Sequence, residues 1–299
     1  MLKWFKVFSL LDWINLAFLI VLVCFFIYFK ELTSNTGWII LIYLMSLLLT
    51  IWMIVFRNKE SKNKFYTPVL TFYPIGVLLF LFSSLSLTSH YFNSSHYDAQ
   101  MAALDQSLFG VHPSLWMEKY STPWLTEIMY IFYFLYFPLP LPLLYTLVKR
   151  NKFMELERML FTFFVCYYGA FLSYFCFPVK GPKFFLADKF TKSLDGIWLS
   201  DPIRNLINVL EPSKFDCFPS MHTAILLMVV FTAFRVYRAY FYWIVFLVPG
   251  ILLSLVYCRY HYIADIIAGI AWACFSYFAG GYLFDKIKKY SIPHFGTTS

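Results

Sequence analysis

Apolar residues along the chain gather into blocks of roughly 20, the length that crosses a bilayer as helix, and polar stretches part them. The blocks lie at Leu10–Phe29, Gly37–Phe56, Pro68–Leu87, Trp124–Val148, Leu160–Phe177, His222–Phe234, Phe241–Tyr257 and Tyr262–Phe284. This spacing predicts an all-α polytopic membrane protein with about eight transmembrane helices. The sixth block is short because Arg235 and Arg238 interrupt it. Their long side chains can snorkel, so its helix is predicted to run on to about Ala239. The first block is too long for a signal-peptide core and no small-residue cleavage site follows it, which predicts a retained span.

Composition supports the same class: 61% of residues are hydrophobic, 23% aromatic and only 13% charged. Eight spans put both termini on one side, joined there by residues 1–9, 57–67, 149–159, 235–240 and 285–299. With Asp12, these segments hold 15 of the 24 Lys and Arg residues but 5 of the 16 acids. The basic side is expected to be cytoplasmic. The net charge of +8 is spread over short loops beside an anionic leaflet, with no long basic helix or tail. That argues for a membrane surface and against nucleic acid.

The opposite side carries two long connections. Residues 88–123 contain His90, His96, Asp98, Asp105 and His112, but their spacing matches no compact metal-binding pattern. An interfacial cap is expected instead, with an amphipathic helix through Met101–Leu108 and an aromatic anchor at Trp116. Asn93-Ser94-Ser95 is a glycosylation sequon if the chain enters a eukaryotic secretory pathway. Pro138, Pro140 and Pro142 each remove a helix donor and predict a break inside the fourth span. The fifth span runs out into YFCFPVKGPKFF, where Pro178, Gly181 and Pro182 confine Lys180 and Lys183 to a turn. Two readings stand for those lysines: snorkelling at the headgroup boundary, or an anion pocket with the histidines on their side. In residues 184–221, DPIRNLINVL has a proline just inside a helix start and an apolar period. It reads as a short helix lidding the outer mouth or as a solvated linker.

The candidate chemistry is concentrated between Cys217 and Asp265, in CFPSMHT and SLVYCRYHYIAD. Pro219 is expected in an early helical turn, where unpaired backbone donors and the Ser220 hydroxyl can bind phosphate oxygens beside His222. His261 and Asp265 are four residues apart, so a helix sets imidazole and carboxylate on one face. A carboxylate this deep is costly unless paired, and His261 is its nearest partner. The bland alternative is a structural His–Asp pair. The catalytic one has Asp265 fix the His261 tautomer and leave the other nitrogen free to attack phosphorus. Arg259 is a further candidate for neutralising phosphate.

PSMH at 219–222 resembles the PSGH motif of the type 2 phosphatidic acid phosphatase superfamily. Ser254, His261 and Asp265 resemble its third motif, SRxxxxxHxxxD. The first motif, KxxxxxxRP, is missing, and KGPKFF is similar to the shorter Gly-Pro-basic form of inositol phosphorylceramide synthase-like members. Leu255 stands where the third motif has arginine, while RYHYIAD is similar to the RxHYxxD of sphingomyelin synthase-related proteins. The resemblance implies a six-helix catalytic core, here Trp124 to about Lys286, preceded by three extra spans; the chain is expected to divide into residues 1–123, with those spans and the cap segment, and residues 124–299, with the core and a short cytoplasmic tail. It also implies attack by His261, acid–base work by His222 and phosphate contacts from Ser220 and a first-motif lysine.

The expected activity is metal- and cofactor-independent transfer of a phosphoryl headgroup, phosphoinositol or similar, between membrane phospholipids or sphingolipids through a phosphohistidine. Lys180, Lys183, Ser220 and Arg259 would bind the phosphate, and the site would face the periplasm, the extracellular space or an organelle lumen. A lipid-phosphate phosphatase using water differs only in acceptor. A transporter or noncatalytic scaffold leaves PSMH and HYIAD unexplained as a set. The sequence does not specify an oligomeric state. Cys176, Cys217 and Cys258 fall near the predicted outer surface, where free thiols are expected over a bridge.

Overall fold

The structure, a computed structural model, describes residues 8–28, 36–60, 67–92, 96–211 and 213–293. The Asn93-Ser94-Ser95 sequon and the side chain of His90 lie outside the described set. The helices are α1 (Leu10–Tyr28), α2 (Thr36–Glu60), α3 (Thr67–Phe92), α4 (Asp98–Phe109), α5 (Pro113–Glu118), α6 (Pro123–Leu135), α7 (Pro140–Lys149), α8 (Phe153–Cys176), α9 (Pro182–Phe185), α10 (Ser200–Leu210), α11 (Met221–Val236), α12 (Arg238–Tyr257) and α13 (Ile263–Ile287). Among the described residues, β structure is limited to an isolated bridge between Val179 and Asp216.

The protein is an all-α polytopic membrane protein. Among the described residues, six helical segments are long and apolar enough to cross a bilayer: Leu10–Tyr28, Thr36–Arg57, Pro123–Lys149, Phe153–Cys176, Arg238–Tyr257 and Ile263–Tyr290. The other two predicted spans are helical but shorter in their apolar part, at Phe72–Ser84 and Met221–Val236. The proline-rich span breaks where expected: turns at 136–139 separate α6 from α7, and Pro140 opens the second half. Two of the boundaries that differ from expectation have a local cause. α8 begins at Phe153 because Leu156 and Met159 are buried and Glu157 pairs with Lys288 at 2.5 Å. α11 stops at Val236, where Tyr237 takes an extended backbone, and Arg238 opens α12 with its guanidinium 3.5 Å from the Phe234 ring centroid.

The chain packs as two compact units. The first comprises Met1–Ser84, Leu147–Tyr168 and Ser276–Ser299. In it Asp12, fully buried in the first turn of α1, receives Arg57 at 2.6 Å, the Ser9 N–H at 2.7 Å and the Tyr73 hydroxyl. These partners make a charge at that depth tolerable.

The second unit comprises Leu85–Thr146 and Gly169–Phe275 and holds every candidate site residue. Most of α11 from Met221 to Ala233 is buried, as befits a helix apolar on all sides and enclosed by protein. α12 packs against both α6 and α11. α13 approaches the start of α11 so closely that a Cβ on Gly269 would lie 2.6 Å from the Ser220 carbonyl oxygen.

Carboxylates between residues 98 and 127 tie several turns of this unit together. Asp98 accepts from the N–H groups of Lys180 and Gly181, the latter at 2.9 Å. Asp105 accepts from Ile263 and Ala264, capping α13 at 3.0 and 2.9 Å. Glu118 accepts from Thr191 and Lys192, both at 2.9 Å. Glu127, on α6, accepts from four successive N–H groups, Ile197 to Ser200, at the start of α10. Each acid therefore satisfies helix-end or turn donors that would otherwise be left without partners. A helix is present where one was expected through Met101–Leu108, as α4, which buries Asp98, Ala102 and Asp105 and leaves Leu104 and Leu108 exposed, and Trp116, on α5, is half-exposed beside Tyr120.

Candidate active site

His222 and His261 meet at the adjoining starts of α11 and α13. Ser220 is the N-cap of α11, its hydroxyl accepting from the Thr223 N–H at 3.3 Å. Pro219 lies ahead of this cap, after a cis Phe218–Pro219 bond, and not in the first helical turn as expected. The cap fixes the direction in which His222, one residue into the helix, leaves the backbone. Two residues before α13, His261 is held by its own N–H bond to the Leu255 carbonyl at 3.1 Å.

The two imidazoles face each other, with His222 Nδ1 3.1 Å from His261 Nε2. His261 Nδ1 is 3.4 Å from Asp265 Oδ2, a long contact. That carboxylate oxygen also accepts from the Tyr262 N–H at 2.9 Å, while Asp265 Oδ1 is buried without a hydrogen-bond partner. On the far side, His222 Nε2 is 2.7 Å from Glu211 Oε1 and 2.9 Å from the Tyr133 hydroxyl. Tyr133 in turn donates to Glu211 Oε2 at 2.9 Å. Glu211, His222, His261 and Asp265 thus form one continuous polar series, walled by Tyr133, Tyr136 and Tyr260.

Burial, and then the charge of His222, hold His261 well below the ordinary imidazole pKa. Its neutral form, the nucleophilic one, is favoured. Asp216 is pushed up to about 7, first by burial and then by Glu211. Burial is also the main reason the Lys183 ammonium lies below its usual range, with Arg204 adding to it.

The other candidates lie around this centre. Lys183 Nζ donates to Asn208 Oδ1 at 3.2 Å and to the Tyr260 hydroxyl at 3.3 Å, over the Tyr260 ring. Its own N–H donates to the Arg259 carbonyl at 2.7 Å, docking the KGPK turn onto the RYHY turn. Gly181 makes this fit possible: its φ is +88°, and a Cβ there would lie 2.4 Å from the Tyr260 carbonyl oxygen. Lys180 extends over the Phe215 ring, 5.4 Å from its centroid. Arg259 is directed to Glu118 at 3.1 Å and to the Lys192 carbonyl at 2.8 Å, over Phe190. Leu255, in the place of the third-motif arginine, is fully buried in an apolar cluster with Tyr130, Tyr257 and Ile266.

Cys217, His261 and Asp265 each offer a ligand atom within 4.8 Å of the others, which is the geometry of a candidate metal site. The Cys217 thiol, however, donates to the Tyr260 carbonyl at 3.3 Å, and burial pushes its pKa well above the usual thiol range. Among the described residues, Cys176, Cys217 and Cys258 are not joined by a disulfide.

Sequence reasoning missed Glu211 and Tyr133. Glu211 ends an amphipathic helix and lies 11 residues before His222; Tyr133 sits in an aromatic run of a membrane span. Neither has a local pattern that separates it from its neighbours. Only the return of α10 over α6 brings them to the histidine.

The PAP2 superfamily profile matches residues 99–279, which contain the whole polar series. A PA-phosphatase related-family protein of Dictyostelium discoideum is 22% identical over 281 residues, covering 80% of this chain and 50% of the relative. The chain therefore spans about half the length of that curated relative. No solved structure matches. With the profile covering more than half of the sequence, the chain belongs to the PAP2 superfamily.

Proposed function

We propose that this protein is a membrane lipid phosphotransferase that moves a phosphoryl headgroup between lipids through a phosphohistidine on His261. The observation that carries the reading is the unbroken series Glu211–His222–His261–Asp265, with the two imidazoles 3.1 Å apart. The substrate phosphorus enters between the rings and replaces their mutual contact. His261 Nε2 attacks it, the bond to the lipid alcohol breaks, and His222 Nδ1 supplies that oxygen with a proton. In the second half, an acceptor hydroxyl loses its proton to His222 and attacks phosphorus, and the P–N bond breaks. Glu211 engages the far nitrogen of His222, so the nitrogen facing the substrate is the one that exchanges protons.

In this assignment the phosphate oxygens meet the Ser220 cap and the first-turn N–H groups of α11, which a helix leaves without internal partners. Lys183 offsets charge at the mouth. Lys180 and Arg259 belong to the outer ring, where Arg259 clamps the 191–192 turn with Glu118. The catalytic segment is read as 124–299, served by Asp98, Asp105 and Glu118 from the segment before it. We read the site as facing away from the cytoplasm, from the distribution of Lys and Arg along the sequence.

Hydrolysis is the second reading, and the phosphatase-related name of the Dictyostelium relative favours it. Water then takes the acceptor's place and no other role changes. Purified protein given phosphatidylinositol, phosphatidylcholine, phosphatidate, diacylglycerol and ceramide separates the two. A new phosphodiester lipid that requires His222 and His261 supports transfer; free phosphate from phosphatidate, or a soluble headgroup phosphate from the diester lipids, with no acceptor-lipid product replaces it with hydrolysis.

A further inference from the structure

Helix α10 has three kinds of surface. Ile203 and Ile207 pack into the apolar cluster with Tyr130 and Tyr133. Arg204, Asn208 and Glu211, spaced i, i+4 and i+7, form a polar stripe; Asn208 holds Lys183 and Glu211 holds His222. Asp201 and Asn205 are exposed beside this stripe, and beyond them lies an open apolar arc: Leu206, Val209 and Leu210 are exposed, Val209 to 75%, and Trp198 just before the helix is 76% exposed. A membrane protein can leave such an arc uncovered when lipid covers it.

The height of the arc is set by a tryptophan pair. Trp198 packs edge-on against Trp124, with ring centroids 6.4 Å apart. Trp124 is 65% exposed and lies in the first turn of the Pro123–Lys149 span. Tryptophans at a span's end mark the headgroup level of the bilayer. Glu127, one turn further along that span, holds the start of α10 through four N–H groups. α10 is thereby fastened to a membrane span at the end that carries Trp124.

We propose that α10 and Trp198 form an interfacial element whose Trp198–Leu206–Val209–Leu210 edge seats in the lipid leaflet at the mouth of the site. The occupant is the glycerol and upper acyl region of that leaflet. Seating has a consequence for the site, because the next residue after the helix is Glu211: the lipid that covers one edge of α10 holds the carboxylate at its end against His222. Lipid embedded in the membrane would then meet a site already ordered by the same leaflet.

The test uses the full chain in nanodiscs of dioleoylphosphatidylcholine and dioleoylphosphatidylinositol. p-Benzoylphenylalanine placed at Val209, at Leu206 or, on the polar side, at Asp201 is irradiated, and protein-bound lipid is measured by mass spectrometry. Positions 209 and 206 are expected to capture at least tenfold more lipid than position 201; equal or lower capture at 209 and 206 overturns the assignment. This readout needs no turnover, so it stands even if the proposed reaction fails. Activity provides the second arm. Val209→Asp is expected to lower turnover of dioleoylphosphatidylinositol and of soluble dihexanoylphosphatidylinositol alike, at least tenfold, because the unseated helix no longer holds Glu211 against His222, while Val209→Leu, which keeps the edge apolar, stays within twofold on both. Loss on neither substrate, or equal loss in Val209→Leu, counts against the lipid seat.

Discussion

His222 Nδ1 lies 3.1 Å from His261 Nε2, and each ring is engaged from behind by a carboxylate, Glu211 or Asp265. Two histidines braced in this way can divide nucleophilic and proton-transfer work without exchanging places. Replacing His222 by Ala should lower kcat by about 10²- to 10⁴-fold, the range of a positioned acid–base group. Steady-state turnover of the purified variant checks this, and a loss below tenfold would contradict the role.

Glu211→Gln keeps the side chain's size but removes the charge 2.7 Å from His222 Nε2. We expect kcat to fall by about 10²-fold on a natural lipid, since His222 then loses the group that orients it for proton transfer. On a substrate with a nitrophenol leaving group the deficit should shrink, because that oxygen departs with little help. A deficit equal on both substrates would make Glu211 purely structural.

The KGPK turn is built for close approach. Gly181→Ala forces a Cβ to within 2.4 Å of the Tyr260 carbonyl at a φ of +88°. The left-handed conformation alone costs about 1–2 kcal/mol. Asp98→Asn weakens the acceptor that holds the Lys180 and Gly181 N–H groups and the Tyr262 hydroxyl, at about 1–3 kcal/mol. Both variants should melt lower in detergent, and Gly181→Ala should raise KM through displaced Lys183. An unchanged melting midpoint for both would remove the turn from the account.

Asp216 gives a stability slope of known sign. Its folded-state pKa, about 7, lies above the ordinary 3.8 because of burial and Glu211. The folded protein therefore binds the proton more tightly than the unfolded chain. This contribution is present below the ordinary value and is lost as pH rises through 7. Asp216→Asn removes the titration, so the wild type should lose melting temperature relative to the variant between about pH 4 and pH 7, with a constant gap above. Parallel melting curves across that range would exclude a raised Asp216.

Much of this arrangement was legible along the chain, and the parts that were not share a cause. Block length located the helices, and the alternate prolines placed the break between α6 and α7, because both effects are local to the backbone. His222, His261 and Asp265 stood out because helix starts and i, i+4 spacing are also local. Arg259 looked like a phosphate ligand from its place beside His261. Its left-handed backbone, φ +68°, is a property of the turn and carries the guanidinium to Glu118. Asp98, Asp105, Glu118 and Glu127 read only as outer-side acids. Their partners are backbone N–H groups 70 to 159 residues away, which no residue type announces. Glu211 was hidden for the same reason: its contact with His222 depends on where α10 lands.

The central claim is that His261 carries the phosphoryl group. Its most direct test is rapid alkaline quenching of wild-type protein during turnover of phosphatidylinositol, followed by peptide mass mapping. The account predicts a phosphoinositol adduct on His261, absent from His261→Ala, whose turnover should be lower by at least about 10³-fold as expected when a covalent step is removed. Turnover of folded His261→Ala within tenfold of wild type, or an adduct on a different residue, would contradict it.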